Sequence, residues 1–313
     1  MKSPNFAAAR SWVIPPMRPC ARRPYGRDTM NARERMLQDL PLSERVVSAA
    51  GVATTVLEGG EGPPLLLLHG GIECGGAVWA PLIPRLAGAH RLIVPDLPGL
   101  GESEPVARLD PPTFRAWLRD LLRQTCDEPP VLIAHSLGGG PAARFAARDG
   151  ELLRRLVIYG SPGMGPYRIP LGLKVIAIRF SLRPTERNDE RMGRYALHDF
   201  DGVRDRDPGW FAAFTSYNLE RTRVPHVRRT MRGLIGSATK QVPDADLRGI
   251  GIPVELAWGR HDRFVPLSHA TAASSRLGWP LEVIEGAGNE PALEAPEAFV
   301  RALNRALEVG TRA

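Results

Sequence analysis

The stretch Val131-Leu-Ile-Ala-His-Ser136-Leu-Gly-Gly-Gly140-Pro141 sets a serine between a short apolar run and a segment suited to a helix. A strand that turns sharply into a helix exposes the serine hydroxyl at the carboxyl end of a sheet. Such a turn accepts only small residues two before and two after the serine. Ala134 and Gly138 fill those positions. A helix starting just after Ser136 aims free N–H groups and its dipole at any oxyanion formed there, so the implied chemistry is nucleophilic attack on a carbonyl. The bland alternative is a serine in a glycine-rich connection, which the pentapeptide alone does not exclude. Upstream, Pro63 to Gly71 reads as a strand ending in His69-Gly70-Gly71, and Asp96-Leu-Pro-Gly99-Leu-Gly101-Glu-Ser103 follows the next strand. A phosphate-loop reading of Gly99 and Gly101 is weak, because neither a Walker lysine nor a GxGxxG is present.

These three motifs, in this order, resemble the α/β-hydrolase superfamily over roughly residues 45–310. The resemblance implies a mostly parallel central sheet flanked by helices, with an inserted helical cap. It also implies an oxyanion hole built from the backbone N–H of Leu137 and that of Gly71 or Ile72. The family's acid follows its seventh strand, where Ala257-Trp-Gly-Arg-His-Asp262-Arg-Phe-Val-Pro266 supplies Asp262. That stretch is similar to the corresponding loop of cap-bearing esterases and carbon–carbon bond hydrolases, although Asp262 could also be a simple turn residue. The last strand of the family is followed by Gly-x-Gly-His-x-Pro-x-x-Glu-x-Pro-x-x-Phe, whose histidine is the general base. Here the segment runs Gly286-Ala-Gly288-Asn289-Glu-Pro291-Ala-Leu-Glu294-Ala-Pro296-Glu-Ala-Phe299. Every framework residue is present, and Asn289 stands where the base belongs.

That exchange matters physically. An imidazole takes the serine proton near neutral pH and returns it to the leaving group. A carboxamide titrates in neither direction, yet it could donate to Asp262 and accept from the Ser136 hydroxyl. Of the other histidines, His69 belongs to the oxyanion loop and His135 adjoins the nucleophile but points elsewhere on the elbow. His261 projects from the opposite side of an extended chain from Asp262, and His90 and His269 read as structural or exposed. His198 and His226 fall in the insertion and could hang over the site; Glu290 is a more remote substitute base. An Asp nucleophile would suggest a dehalogenase or an epoxide hydrolase, and Ser136 argues against both.

The positioning elements are legible. Arg45–Val47 and Ala53–Leu57 flank a turn and read as a hairpin. Residues 65–68, 92–95, 131–134, 156–159, 254–258 and 281–284 are short apolar runs of the kind buried on both faces of a parallel sheet. Helical segments fall at 111–127, 141–148, 267–277 and 296–307, giving the alternation of an α/β fold. Between Gly160 and about Pro243 the strand signal vanishes. Trp210, Phe211, Phe214 and Tyr217 recur there at helical spacing, among many Arg and Pro. The division expected is a tail over 1–40, a core over 41–160 and 244–313, and a helical lid over 161–243. The lid's Arg221, Arg223, Arg228 and Arg229 could select an anionic group; the plainer expectation is aromatics packed inside and Arg on the wet face. Cys74 is expected to pack, with a pocket-lining position as the alternative.

Composition sets the remaining bounds. With 43% hydrophobic and 24% charged residues, the chain of 313 is an ordinary globular protein rather than a disordered or fibrous one. Its net charge of +7 suggests an anionic partner, but eight basic residues against two acidic ones lie within 1–35, leaving +1 for the rest. That leader reads as disordered: a transit peptide, or the consequence of a true start at Met30 or Met36. Only Lys2, Lys174 and Lys240 are lysines, which together with abundant Ala, Gly and Pro favours a bacterial source. Cys20, Cys74 and Cys126 form neither a disulfide framework nor a CxxC pair, so a reducing cytoplasm is expected. The apolar stretch 171–182 is interrupted by Lys174 and Arg179 and is too short to span a bilayer. The expectation is a hydrolase of an ester-like or ketone-type small molecule, weakened or silenced at Asn289, without metal, organic cofactor, nucleic acid or membrane. Its rivals are a non-catalytic binding homologue and a His-to-Asn altered form of an active enzyme.

Overall fold

The computed structural model describes residues 30–308. Residues 1–29 of the expected tail, with Cys20, lie outside the described residues. An eight-stranded sheet has the order β1-β2-β4-β3-β5-β6-β7-β8. Its strands are β1 (Ser43–Ala49), β2 (Val52–Gly59), β3 (Pro64–Leu68), β4 (Arg91–Pro95), β5 (Val131–His135), β6 (Arg155–Tyr159), β7 (Val254–Gly259) and β8 (Leu281–Ile284). The first two form the expected hairpin, turned by Ala50 and Gly51 at positive φ, as a two-residue loop between right-twisted strands requires. β2 is antiparallel to β4, and every later pairing is parallel.

Side-chain alternation divides the core. Leu66, Leu68, Leu132 and Ala134 face one hydrophobic layer, while Leu65, Leu67, Val131 and Ile133 face the other. Helix Pro111–Thr125 shows why these segments form. Asp110 caps it by accepting from the Thr113 amide at 3.1 Å, proline opens it, and Phe114, Trp117, Leu118, Leu121 and Leu122 bury one stripe. Helix Gly139–Asp149 completes that layer, and helix Pro296–Glu308 supplies Phe299, Ala302 and Leu303 to the opposite one.

Between β6 and β7 the inserted stretch holds five helices, Leu171–Leu182, Glu186–Ala196, Phe200–Arg206, Pro208–Arg223 and Pro225–Ala238, and a sixth, Asp244–Arg248, leads back to the sheet. Tyr217 is buried as expected, and Arg223 and Arg229 are placed as the wet face requires, but Arg221 is largely covered.

The segment 31–40 departs from the expected tail. Ala32–Met36 is a helix with a capping box: Asn31 Oδ1 accepts from the Glu34 amide and Glu34 Oε2 accepts from the Asn31 amide, both at 2.8 Å. Arg33 is 6% exposed and pairs with Asp96 at 3.1 Å and Glu44 at 2.8 Å. It also donates to the Tyr217 hydroxyl, which in turn donates to Glu102. Burial lowers the pKa of this guanidinium, but Asp96 and then Tyr217 and Glu44 more than offset that, so it sits above the ordinary value. One buried arginine thus joins the amino-terminal helix, the β4 loop and the inserted helices.

Candidate active site

Ser136 follows the last residue of β5 and opens the turn into helix Gly139–Asp149, at the carboxyl end of the parallel strands. Its φ is +44°, an unfavourable conformation for a residue with a Cβ and the one a sharp strand-to-helix elbow imposes. The loop after β3 passes so close that a Cβ at Gly70 would lie 2.8 Å from Ser136 Cβ and 3.0 Å from His135 Nδ1. His69 fixes that loop: its Nε2 accepts from the Leu97 amide at 2.9 Å and its Nδ1 donates to the Gly70 carbonyl at 2.7 Å. Burial lowers its pKa to about 4, so the ring is a neutral strut.

Of the expected oxyanion donors, the Ile72 amide already has a backbone partner. It donates to the Gly70 carbonyl at 2.9 Å in a tight three-residue turn. Among the described residues the Gly71 amide has no such turn partner, and Leu137 directly follows Ser136 in the elbow.

Asp262 and Asn289 meet. Asn289 Nδ2 donates to Asp262 Oδ2 at 2.8 Å and to the Gly160 carbonyl at 3.2 Å. Asp262 Oδ1 accepts from the Phe264 and Val265 amides at 2.7 and 2.9 Å, so this acid is held by its own loop as well as by the carboxamide. Gly160 has φ +55°, and a Cβ there would come within 2.7 Å of Asn289 Nδ2. Burial raises the Asp262 pKa to about 7, against the lowering effect of its three donors. The second half of the expectation for Asn289 is not met: among the described residues no hydrogen bond joins it to the Ser136 hydroxyl. The framework carboxylate Glu294 accepts from the amides of Gly288 (2.6 Å), His198 (2.5 Å) and Asp199 (3.0 Å), tying the Asn289 loop to the inserted helices.

No other histidine takes the base's place. His135 stacks on Tyr159 with ring centroids 4.3 Å apart, and its Nε2 lies 3.1 Å from the Asn289 carbonyl oxygen; burial lowers its pKa to about 3. His198 stacks on His261 at 3.8 Å. His269 packs edge-on to Tyr167, and the pKa values of His226 and His269 are lowered by burial and then by neighbouring arginines. Glu290 stands 3.5 Å from His135 Nε2 and faces the site, with its pKa well above the usual carboxylate range because it is buried beside Glu294 and Asp262.

A cavity of about 570 Å³ opens over Ser136, Asn289 and Gly71. Its walls are largely apolar and come from the inserted helices, with Leu173, Phe180, Phe211, Phe214 and Met231 among them. Phe211 and Phe214, expected as packing within the insertion, thus also line this space. Cys74 does not: it is buried in the core, with its thiol pKa pushed up by burial. Among the polar side chains of the cavity that escaped sequence reasoning are Glu73, Asp189 and Asn218. Asn218 Nδ2 donates to Asp189 Oδ1 at 2.9 Å, and burial raises Asp189 to about 6 and Glu73 to about 7. Only the position of Glu73, two residues after the His-Gly-Gly loop, could have signalled one of them; Asp189 sits in a helix dense with charge.

The alpha/beta hydrolase family model matches residues 65–302, most of the chain and every element of the site. This chain belongs to the alpha/beta hydrolase family. Within the family it is 36% identical over 251 residues to a 2-hydroxymuconate semialdehyde hydrolase of Pseudomonas sp. (strain CF600), covering 74% of this chain and 81% of the relative. It is 28% identical over 270 residues to a 2-hydroxy-6-oxo-6-(2'-aminophenyl)hexa-2,4-dienoic acid hydrolase of Metapseudomonas resinovorans, covering 83% and 89%. Among solved structures, naproxen esterase (carboxylesterase NP) of Bacillus subtilis superposes with a TM-score of 0.76 at 20% identity, covering 88% of this hydrolase-family chain and 94% of that one. The last likeness is one of fold alone.

Proposed function

We propose that this protein is a serine hydrolase of small ester-like or ketone-type carbon–carbon substrates, working through an acyl-enzyme on Ser136 and weakened by Asn289. The observation that carries the reading is the pairing of an elbow serine at the cavity floor with an acid whose partner is an amide. The Leu137 and Gly71 amides are the donors for the tetrahedral oxyanion, and the helix starting behind Ser136 adds its dipole. The inserted helices act as the cap, and their apolar wall favours a largely apolar acyl or leaving group.

Asn289 spends its amide hydrogens on Asp262 and Gly160. Only its oxygen remains for a partner, and an amide oxygen is too weak a base to take the serine proton. Losing the base costs on the order of 10⁶ in kcat, and roughly 10³–10⁴ over water survives from binding and the oxyanion hole. A slow hydrolysis is therefore expected, one that becomes strongly dependent on Ser136 only when a base is restored. The test compares Asn289→His with Asn289→His/Ser136→Ala on an activated aryl ester; equal rates in both would overturn the reading. The same buried Asn289–Asp262 pair also favours a second reading, a binding protein that keeps the pocket without turnover.

A further inference from the structure

Helix Leu171–Leu182 opens the insertion and leaves four large apolar side chains in solvent: Leu171 (77% exposed), Val175 (45%), Ile178 (59%) and Leu182 (77%). Their spacing of four, three and four residues puts them within an arc of about 60° on one helix face. A scattered exposed leucine needs no explanation, but a continuous stripe of this kind does. Lys174 flanks it on one side and Arg179 on the other, both exposed. The surrounding segment 166–187 adds Arg168, Arg183 and Arg187 against a single acid, Glu186.

Two features say what covers the stripe. First, the helix itself has no acidic residue, so pairing it with a second copy would set cation against cation across the seam. An apolar stripe bordered only by cations is instead complementary to a surface that is apolar beneath and negative above. Second, the stripe runs into the cavity. Ile178 and Leu182 belong to both, and the buried Leu173 and Phe180 on the other side of the helix also line the cavity over Ser136.

We infer that helix Leu171–Leu182 is a docking element for an anionic lipid surface, laid flat with its apolar stripe in the acyl boundary and Lys174 and Arg179 at the headgroups. In this position the cavity mouth faces the surface, so an apolar ligand passes into it without crossing water. Such binding is peripheral and agrees with the finding that no helix among the described residues is long and apolar enough to cross a membrane. The inference does not depend on turnover at Ser136.

The experiment is co-sedimentation of the full chain with vesicles of phosphatidylcholine alone or mixed with phosphatidylglycerol. The double variant Leu171→Ser/Val175→Ser and the charge reversal Arg179→Glu are run beside it, with unchanged circular dichroism as the check on folding. Binding should be confined to the anionic vesicles, should fall as salt is added, and should drop about tenfold or more in the double variant. Arg179→Glu should weaken it as well. The basic residues of 1–29 are present in every protein compared, so binding that survives both variants would assign the effect to them and overturn the proposal. Absence of binding to either vesicle, or a dimer in sedimentation velocity that the double variant abolishes, would overturn it equally.

Discussion

Asn289 donates through Nδ2 to Asp262 across 2.8 Å, in a site where both residues are almost fully buried. In a serine hydrolase that acid steadies an imidazolium as the ring takes up the serine proton. Here the partner never acquires charge, and burial lifts Asp262 to about 7. The acid is fully hydrogen-bonded, with an amide as its partner.

Glu290 offers the test of whether another group has taken over the proton. It faces the cavity, stands 3.5 Å from His135 Nε2 and follows Asn289 directly. We expect it to be a bystander. Glu290→Gln should leave the residual rate within about twofold, whereas removal of a working base would cost roughly 10²–10⁴. Initial rates on an activated aryl ester separate the two outcomes.

Buried carboxylates in and behind the cavity predict an unusual pH dependence of stability. Asp189, Glu73 and Asp262 all have folded pKa values raised by burial, to about 6, 7 and 7. Between their ordinary carboxylate values and these, the folded state holds protons that the unfolded chain has released. Their contribution is therefore greatest in acid and is lost as pH rises towards 7. Asp189→Asn removes one such group while keeping an acceptor for Asn218. Its urea midpoint relative to the parent should climb as pH is raised from about 4 to 7; a constant difference would refute the assignment.

Arg33 is expected to be structural. Arg33→Met leaves Asp96 buried without its cation, a loss of about 3–5 kcal/mol in chemical denaturation. Adding Asp96→Asn should recover much of that. A chain started at Met36 should lose at least as much as Arg33→Met, because Arg33 lies before that methionine.

Much of this was legible because the signals are local. Leu65–Leu68, Val131–Ala134 and Leu156–Tyr159 are buried on both faces, so their apolar runs marked strands within one residue of their ends. The elbow showed itself through Ala134 and Gly138, and the Asp262–Asn289 pairing through motif order. The helix Ala32–Met36 was missed because its Arg and Ala matched the leader before it; Asn31 and Glu34, three apart, were the overlooked capping signal. That the Ile72 amide has a partner could not be read from the sequence, since it depends on one tight turn. Nor could the bare face of Leu171–Leu182 be seen, because burial there depends on what the helix packs against.

The substitution Asn289→His tests the central claim most directly. Its imidazole would take over the hydrogen bond to Asp262 and restore a proton acceptor beside Ser136. In a variant that keeps the fold, kcat/KM for an activated aryl ester should rise by at least ~10³, within the magnitude of base removal. An unchanged rate would contradict the picture of a hydrolase disabled at one functional group and leave a pocket that binds without turnover.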